Sequence, residues 1–446
     1  MPDTPTMREV ALNGASLRGH IPVLDGIRGL AIVLVLFHHC TDMNDATVID
    51  KAAVTLFHWG GFGVDLFFVL SGFLITGILA DTRGRKNYFK SFYARRVLRI
   101  FPLYYAICLF CFVILPNVGP IIAGAPGIGA DRAALVQTKL DRFGEVSGDE
   151  WYYWTYLSNF VAAKVDGWRH GILDVSWSLA IEEQFYLVWP LLVCLLGRGK
   201  MKIVCVACVV ISPLFRLWLL ARGEDPFYGG ETSIVDVYVL TPGRLEGLAL
   251  GGLLALHLRG GTDQRVAPED FEPGRRLARL VPIAKVVAPV GLALSVGFEM
   301  LHFVMDLDMH SHTPATVYAG YTVLAFAFAA VLVLALAASP GSFWFRVWTF
   351  KPLMSFGKYS YAIYLTHMPV RALIRDIVYA PNPRGAGVRF ADAMFHFPKI
   401  GESELLGQIL FFIPSFAACW LVGWLSWNLF EKHFLKLKKF FPYGKA

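Results

Sequence analysis

Arg28 and His39 stand eleven positions apart in a stretch that begins Leu24-Asp25-Gly26-Ile27-Arg28-Gly29-Leu30 and ends Phe37-His38-His39. On a helix turning about 100° per residue, eleven residues make three turns, so both side chains fall on one side, about 16 Å apart along the axis. Asp25 lies within a turn of Arg28, on nearly the same stripe. Imidazole, with an ordinary pKa of about 6.5, can accept a hydroxyl proton at neutral pH, which makes His39 a candidate general base. An interfacial histidine at the outer end of a short helix is the other reading open at this point. Helical phase favours His39 over His38 as the partner of the arginine stripe.

Five further segments carry polar groups inside apolar surroundings. Gly63-Val64-Asp65-Leu66-Phe67-Phe68-Val69-Leu70-Ser71-Gly72 buries Asp65 and places Ser71 beside a glycine that permits close helix approach, so packing competes with function there. Arg96 and Arg99, at i and i+3 in Arg95-Arg96-Val97-Leu98-Arg99, share a face and could grip phosphates, or could act only as topogenic charge. Ser176-Trp177-Ser178-Leu179-Ala180-Ile181-Glu182-Glu183-Gln184-Phe185-Tyr186 sets Glu182 and Tyr186 on one face. Its carboxylates call for an aqueous site, or for a structural ion pair with Arg28 or Arg244. In Thr241-Pro242-Gly243-Arg244-Leu245-Glu246, Arg244 and Glu246 point to different sides, so each needs its own partner. His367, in Ser360-Tyr361-Ala362-Ile363-Tyr364-Leu365-Thr366-His367, is a second buried histidine that could equally be a hydrogen-bonded packing residue.

Such polar groups need helices to position them, and the composition says which kind. The chain has 446 residues, 56% hydrophobic and 17% charged, with a mean hydropathy of +0.51. This predicts an all-α integral membrane protein. Windows of about twenty residues give ten apolar runs: 26–40, 62–80, 97–115, 176–196, 203–221, 239–258, 281–300, 317–338, 353–374 and 406–429. Basic residues cluster in alternate linkers: Arg83, Arg85, Lys86 and Lys90, then Arg198, Lys200 and Lys202, then Arg275, Arg276 and Arg279, then Arg346 and Lys351. The positive-inside rule then predicts a bundle of about ten transmembrane helices with both termini cytoplasmic. The net charge of +7 is topogenic on this reading, and no nucleic-acid partner is expected.

The expected organisation is a cytoplasmic segment 1–24, a transmembrane domain 25–431 and a basic tail 432–446, with no cleavage pattern ahead of the first run. Two long outward loops, 116–175 and 378–404, are expected, the first carrying an aromatic cluster at Trp151, Tyr152, Tyr153, Trp154 and Tyr156 suited to the membrane interface. The seven cysteines lie in or beside apolar runs, so neither disulfides nor a metal site is expected. No internal repeat is visible, which argues against a transporter, the rival class that also carries intramembrane Arg, Glu and His.

Taken in order, Asp25-Gly26-Ile27-Arg28-Gly29 to His39, Val64-Asp65-Leu66-Phe67-Phe68-Val69-Leu70-Ser71-Gly72-Phe73-Leu74, Arg96 with Arg99, Trp177-Ser178-Leu179 with Glu182 and Tyr186, Arg244, and Ser360-Tyr361 with Tyr364-Leu365 and His367 resemble the membrane-bound acyltransferase-3 family. The resemblance implies an O-acyltransferase of the bacterial inner membrane with no bound cofactor. Its co-substrate would be acyl-CoA, most often acetyl-CoA, and its acceptor a carbohydrate such as exopolysaccharide or lipopolysaccharide. It maps the reaction centre to Arg28 and His39 and the paired arginines to Arg96 and Arg99. Relatives often have an aspartate where this chain has Glu246, so no role is assigned to Glu246. With no fused esterase-like domain expected before Ala446, this chain would complete the transfer itself or hand the acyl group to a partner.

On this basis Arg96 and Arg99 hold the phosphates of coenzyme A, Arg28 lines the path of the thioester arm, and Glu182 orients or charge-balances His39. Asp65, Ser71, Tyr186, Arg244 and His367 support the site, and an acyl-histidine route stays open beside direct attack.

Overall fold

The computed structural model describes residues 20–43, 47–124, 147–168, 170–259, 273–304, 319–378 and 399–444, with Gln137, Leu140 and Asp141. Residues 1–19 of the expected N-terminal segment, parts of both expected long loops and most of the 302–313 linker lie outside the described residues. The described chain is helical, with no strand beyond isolated bridges. Ten helices organise it: α1 (Pro22–His39), α2 (Val48–His58), α3 (Gly63–Thr82), α4 (Tyr88–Leu109), α5 (Ser176–Arg222), α6 (Leu245–Leu258), α7 (Pro273–Val304), α8 (Tyr321–Leu336), α9 (Lys351–Val378) and α10 (Leu405–Ser426).

Among the described residues six helical stretches are long and apolar enough to cross a membrane: Pro22–His39, Val48–Thr82, Tyr88–Ile121, Ser176–Arg222, Gly274–Leu301 and Leu405–Phe440. Tyr321–Leu336 is a shorter apolar helix. This is a multi-pass membrane protein, and each of the ten apolar runs falls on a helix. Two departures have physical causes. The runs 176–196 and 203–221 belong to one assigned helix that breaks at Gly197, whose φ of 67° and ψ of 175° are not helical. Gln184 on the first arm accepts from Thr241 just ahead of α6, Arg198 beyond the break donates to Leu256 O at the end of α6, and Arg216 further along donates to Glu246 near its start, so the two arms of α5 double back. The run 239–258 is split, because Leu240 is extended and Thr241–Arg244 forms a 3-10 turn ahead of α6.

Small residues let the backbones meet. A Cβ on Gly72 would strike Leu248 O, and one on Gly251 would strike Val69 O, so α3 and α6 pack backbone to backbone. Gly29 faces Leu353 O and Gly357 faces Asp25 O, which brings α9 against α1 in the same sense. That contact decides where His39 and His367 sit.

The aromatic cluster expected at the interface is largely internal instead. Tyr153 and Tyr156 are 3% and 6% exposed, because Tyr104 and Tyr105 of α4 donate hydrogen bonds to Tyr153 O and Trp154 O and draw the segment inward. Only Trp151 of the five presents a largely exposed ring.

Candidate active site

A cavity of about 120 Å³ opens between α1, α3, α4, α5 and α9. Its polar lining comes from Arg28, Ser71, Arg96, Arg99, Ser178, Glu182, Tyr186, Ser360, Tyr361 and Tyr364. Side chains up to 336 positions apart thus converge on one space, and six of them, Arg28, Ser71, Arg96, Arg99, Glu182 and Tyr186, are residues the sequence marked as candidates.

A hydroxyl chain runs along one wall. Tyr186 donates to Glu182 Oε2 at 3.3 Å, one helical turn away, and Ser71 of α3 bonds to the Tyr186 hydroxyl. Gly72 keeps α3 close enough for that contact. One turn before Glu182 on the same helix, Ser178 shares a hydrogen bond of 2.6 Å with Tyr364, and Tyr361 donates to Ile100 O at 2.6 Å, tying α9 to α5 and α4.

The cations divide by what holds them. Arg28 donates to Asp25 Oδ1 at 3.1 Å, as their spacing of three residues allows. Arg96 lies over the rings of Phe92 and Tyr186, at 5.8 and 5.5 Å, and Arg99 is exposed toward the cavity. Among the described residues neither Arg96 nor Arg99 makes a hydrogen bond or an ion pair. Two guanidiniums that no carboxylate among the described residues neutralises thus present positive charge to the cavity.

His39 occupies a different place. It is absent from the cavity lining and sits at the far end of α1 from Arg28, where its Nδ1 lies 3.2 Å from Val35 O and 3.1 Å from His367 Nε2. His367 Nδ1 is 2.7 Å from Tyr364 O and 3.2 Å from Ile363 O. Carbonyl oxygens only accept, so both rings carry their proton on Nδ1, and the His39 N–H also faces the bare Nε2 of His367. This leaves His39 Nε2 as a lone-pair nitrogen with no hydrogen-bond partner among the described residues. Tyr364 lines the cavity one turn before His367, so the histidine pair stands just beyond the cavity wall. Gln408 fixes this end of α1 by donating to Cys40 O and accepting from the amides of Asp42 and Met43, while Arg371 of α9 pairs with Asp42 at 2.7 Å.

Two expectations about ion pairs change. Glu182 is not the hydrogen-bond partner of His39: its bond comes from Tyr186, and His39 is held by His367. Nor does either carboxylate of α5 pair with Arg28 or Arg244. Arg244 bonds Asp65 at 3.0 Å and lies 4.1 Å from the Tyr321 ring centre and 4.8 Å from that of Tyr238. Glu246 bonds Arg216 at 2.5 Å. The expectation of separate partners for Arg244 and Glu246 is met, by Asp65 and Arg216. All four residues are at most 5% exposed, which suits a structural brace joining α3, α5 and α6. Sequence reasoning passed over Arg216, although a lone arginine inside the apolar run 203–221 was a signal that an acidic partner had to exist.

The acyltransferase domain family matches residues 21–424. The peptidoglycan O-acetyltransferase OatA of Listeria monocytogenes is 30% identical over 380 residues, covering 82% of this chain and 52% of that protein. The O-acetyltransferase OatA of Staphylococcus aureus is 27% identical over 372 residues, covering 80% of this chain and 51% of its own length. The putative peptidoglycan O-acetyltransferase YrhL of Bacillus subtilis is 27% identical over 379 residues, 82% of this chain and 50% of that one. The chain thus spans about half the length of these curated relatives. No solved structure matches it. With a family match running from the start of α1 into α10, across every helix that lines the cavity, the chain belongs to the acyltransferase-3 family of membrane acyltransferases.

Proposed function

We propose that this protein is a membrane O-acyltransferase that moves an acyl group, acetyl in the first instance, from cytoplasmic acyl-CoA to a hydroxyl of a cell-surface or exported glycan. The observation that carries the reading is the cavity with two arginines, Arg96 and Arg99, that make no hydrogen bond or ion pair among the described residues, and beyond its wall a histidine pair with one imidazole nitrogen that has no hydrogen-bond partner among them. The family match supports the reaction class. The names of the relatives, which specify peptidoglycan O-acetylation in Listeria monocytogenes, support a cell-wall glycan as the acceptor. Ten spans with both termini in the cytoplasm, in a bacterial cell membrane, would put the arginine-rich linkers on the donor side and the His39 end of α1 on the acceptor side.

In this mechanism Arg96 and Arg99 bind the phosphates of the donor, and its thioester arm runs past Arg28 toward the end of α1. His39 Nε2 removes the proton from the acceptor hydroxyl, whose oxygen attacks the acyl carbon. The C–S bond breaks, and the coenzyme A thiolate departs and regains a proton. His367, holding the Nδ1–H of His39, keeps the reactive nitrogen bare and stabilises the imidazolium that forms. The test is acetyl-CoA-dependent release of free coenzyme A by the purified protein, with and without a cell-wall glycan extract. Release that requires the glycan supports the reading. A protein that moves glycan between compartments while releasing no coenzyme A is a transporter and removes it.

A further inference from the structure

At the arginine-bearing end of α4 the C-terminal segment folds back across the helix. Leu437–Phe440 forms a 3-10 turn packed on α4, and the chain beyond it is pinned at three points. Ser91 Oγ donates to Pro442 O at 2.8 Å, Arg95 Nη1 donates to Phe441 O at 3.2 Å, and Gly444 N donates to Lys86 O at 3.2 Å. The Arg95 guanidinium lies over the Tyr443 ring, 5.7 Å from its centre.

This strap sets Lys438 among Arg95, Arg96 and Arg99, the three charges that act on its ammonium. Lys438 is half-buried, and like Arg96 and Arg99 it makes no hydrogen bond or ion pair among the described residues. A nearby carboxylate, Glu431, accepts from Ser426 at 2.9 Å. Hydrogen bonds to backbone carbonyls thus hold four cations together, and their mutual repulsion is stronger there than in bulk water. An anion seated among them removes that repulsion.

We propose that the strap and α4 form a phosphate-binding mouth to the cavity, in which Lys438 grips a phosphate beside Arg96 and Arg99. The ligand chemistry is a phosphate ester, supplied either by the nucleotide end of coenzyme A or by the headgroup of an anionic lipid. The coenzyme A arm rests on the donor reading of the cavity; the lipid arm does not.

The test uses the full chain in lipid nanodiscs, as wild type, Lys438→Gln, Lys438→Arg and the neighbouring Lys439→Gln, each first matched for thermal stability. In phosphatidylcholine discs coenzyme A binding is titrated by calorimetry; in discs containing phosphatidylglycerol, retained anionic lipid is counted by mass spectrometry. A roughly tenfold weaker coenzyme A affinity in Lys438→Gln, spared in Lys438→Arg and Lys439→Gln, assigns the mouth to the donor. Unchanged coenzyme A affinity with loss of retained phosphatidylglycerol assigns it to lipid. A Lys438→Gln protein equal to wild type in both arms overturns the proposal while leaving the donor cavity intact. A wild type that binds no coenzyme A overturns the donor reading instead, and the mouth then stands or falls on the lipid arm.

Discussion

His39 Nδ1 lies 3.1 Å from His367 Nε2, across 328 positions of sequence. The contact exists because α1 and α9 run side by side over glycines. It turns two isolated histidines into one unit with a defined tautomer.

Replacing His367 by phenylalanine removes the acceptor for the His39 N–H while keeping a ring in the space. We expect a kcat loss of roughly a hundredfold, the scale of one positioned proton-transfer group, with the KM for the acyl donor unchanged. His367→Asn, which can still accept from Nδ1–H, should recover part of the rate. A donor KM that rises in step with the kcat loss would place His367 in donor binding instead.

Arg99→Gln should raise the donor KM by about tenfold, the value of a lost charge-assisted hydrogen bond, without lowering Tm. Among the described residues Arg99 has no bonded partner to leave behind, so a marked fall in Tm would show that its charge is structural.

Asp65→Ala should destabilise the protein by roughly 3–5 kcal/mol, because it leaves the buried Arg244 guanidinium uncompensated. Thermal unfolding in detergent reads the loss, and Asp65→Leu combined with Arg244→Met should recover most of it. Failure of the double variant to recover would mean that the pair does more than brace α3 against α6.

Most of the helical frame was legible in the sequence, since lipid demands long apolar runs and every one of the ten lies on a helix. The cavity was legible in part. Arg28, Ser71, Arg96, Arg99, Glu182 and Tyr186 were each marked by a polar group inside an apolar run, and all six line it. The partnerships were not. Helical phase says which residues share one helix face, but the pairing of Asp65 with Arg244, of Glu246 with Arg216 and of His39 with His367 depends on which helices touch. That choice is made by close backbone contacts, such as Gly357 against Asp25 O, which no single helix reveals.

Gly357→Ala should therefore separate α9 from α1, since its new methyl meets the backbone of Asp25 and Gly29. Overpacking of this kind costs roughly 1–3 kcal/mol. Activity should fall further than stability, because the histidine contact rests on the same interface. Equal activity at equal expression would mean that the two helices can part without cost to the site.

His170 lies in the turn before α5, outside the membrane-spanning helices, and its Nδ1 accepts from Leu173 N at 3.1 Å. Burial pushes its pKa down to about 3. The folded protein keeps the ring neutral while the unfolded chain takes up a proton near its usual pKa of about 6.5, so acid favours unfolding. This group's penalty should begin as pH falls through about 6.5 and grow until about 3. Tryptophan fluorescence of the adjacent Trp168, followed across that range in wild type and His170→Gln, should show an acid-induced change that the variant lacks.

On the proposed function, His39 drives acyl transfer to a glycan across the bilayer. The direct measurement supplies acetyl-labelled coenzyme A to the cytoplasmic face of sealed vesicles with glycan enclosed on the other side, and compares wild type with His39→Ala at matched folding. Label is expected on the enclosed glycan with wild type and none above background with His39→Ala. Equal labelling by the two proteins would contradict it.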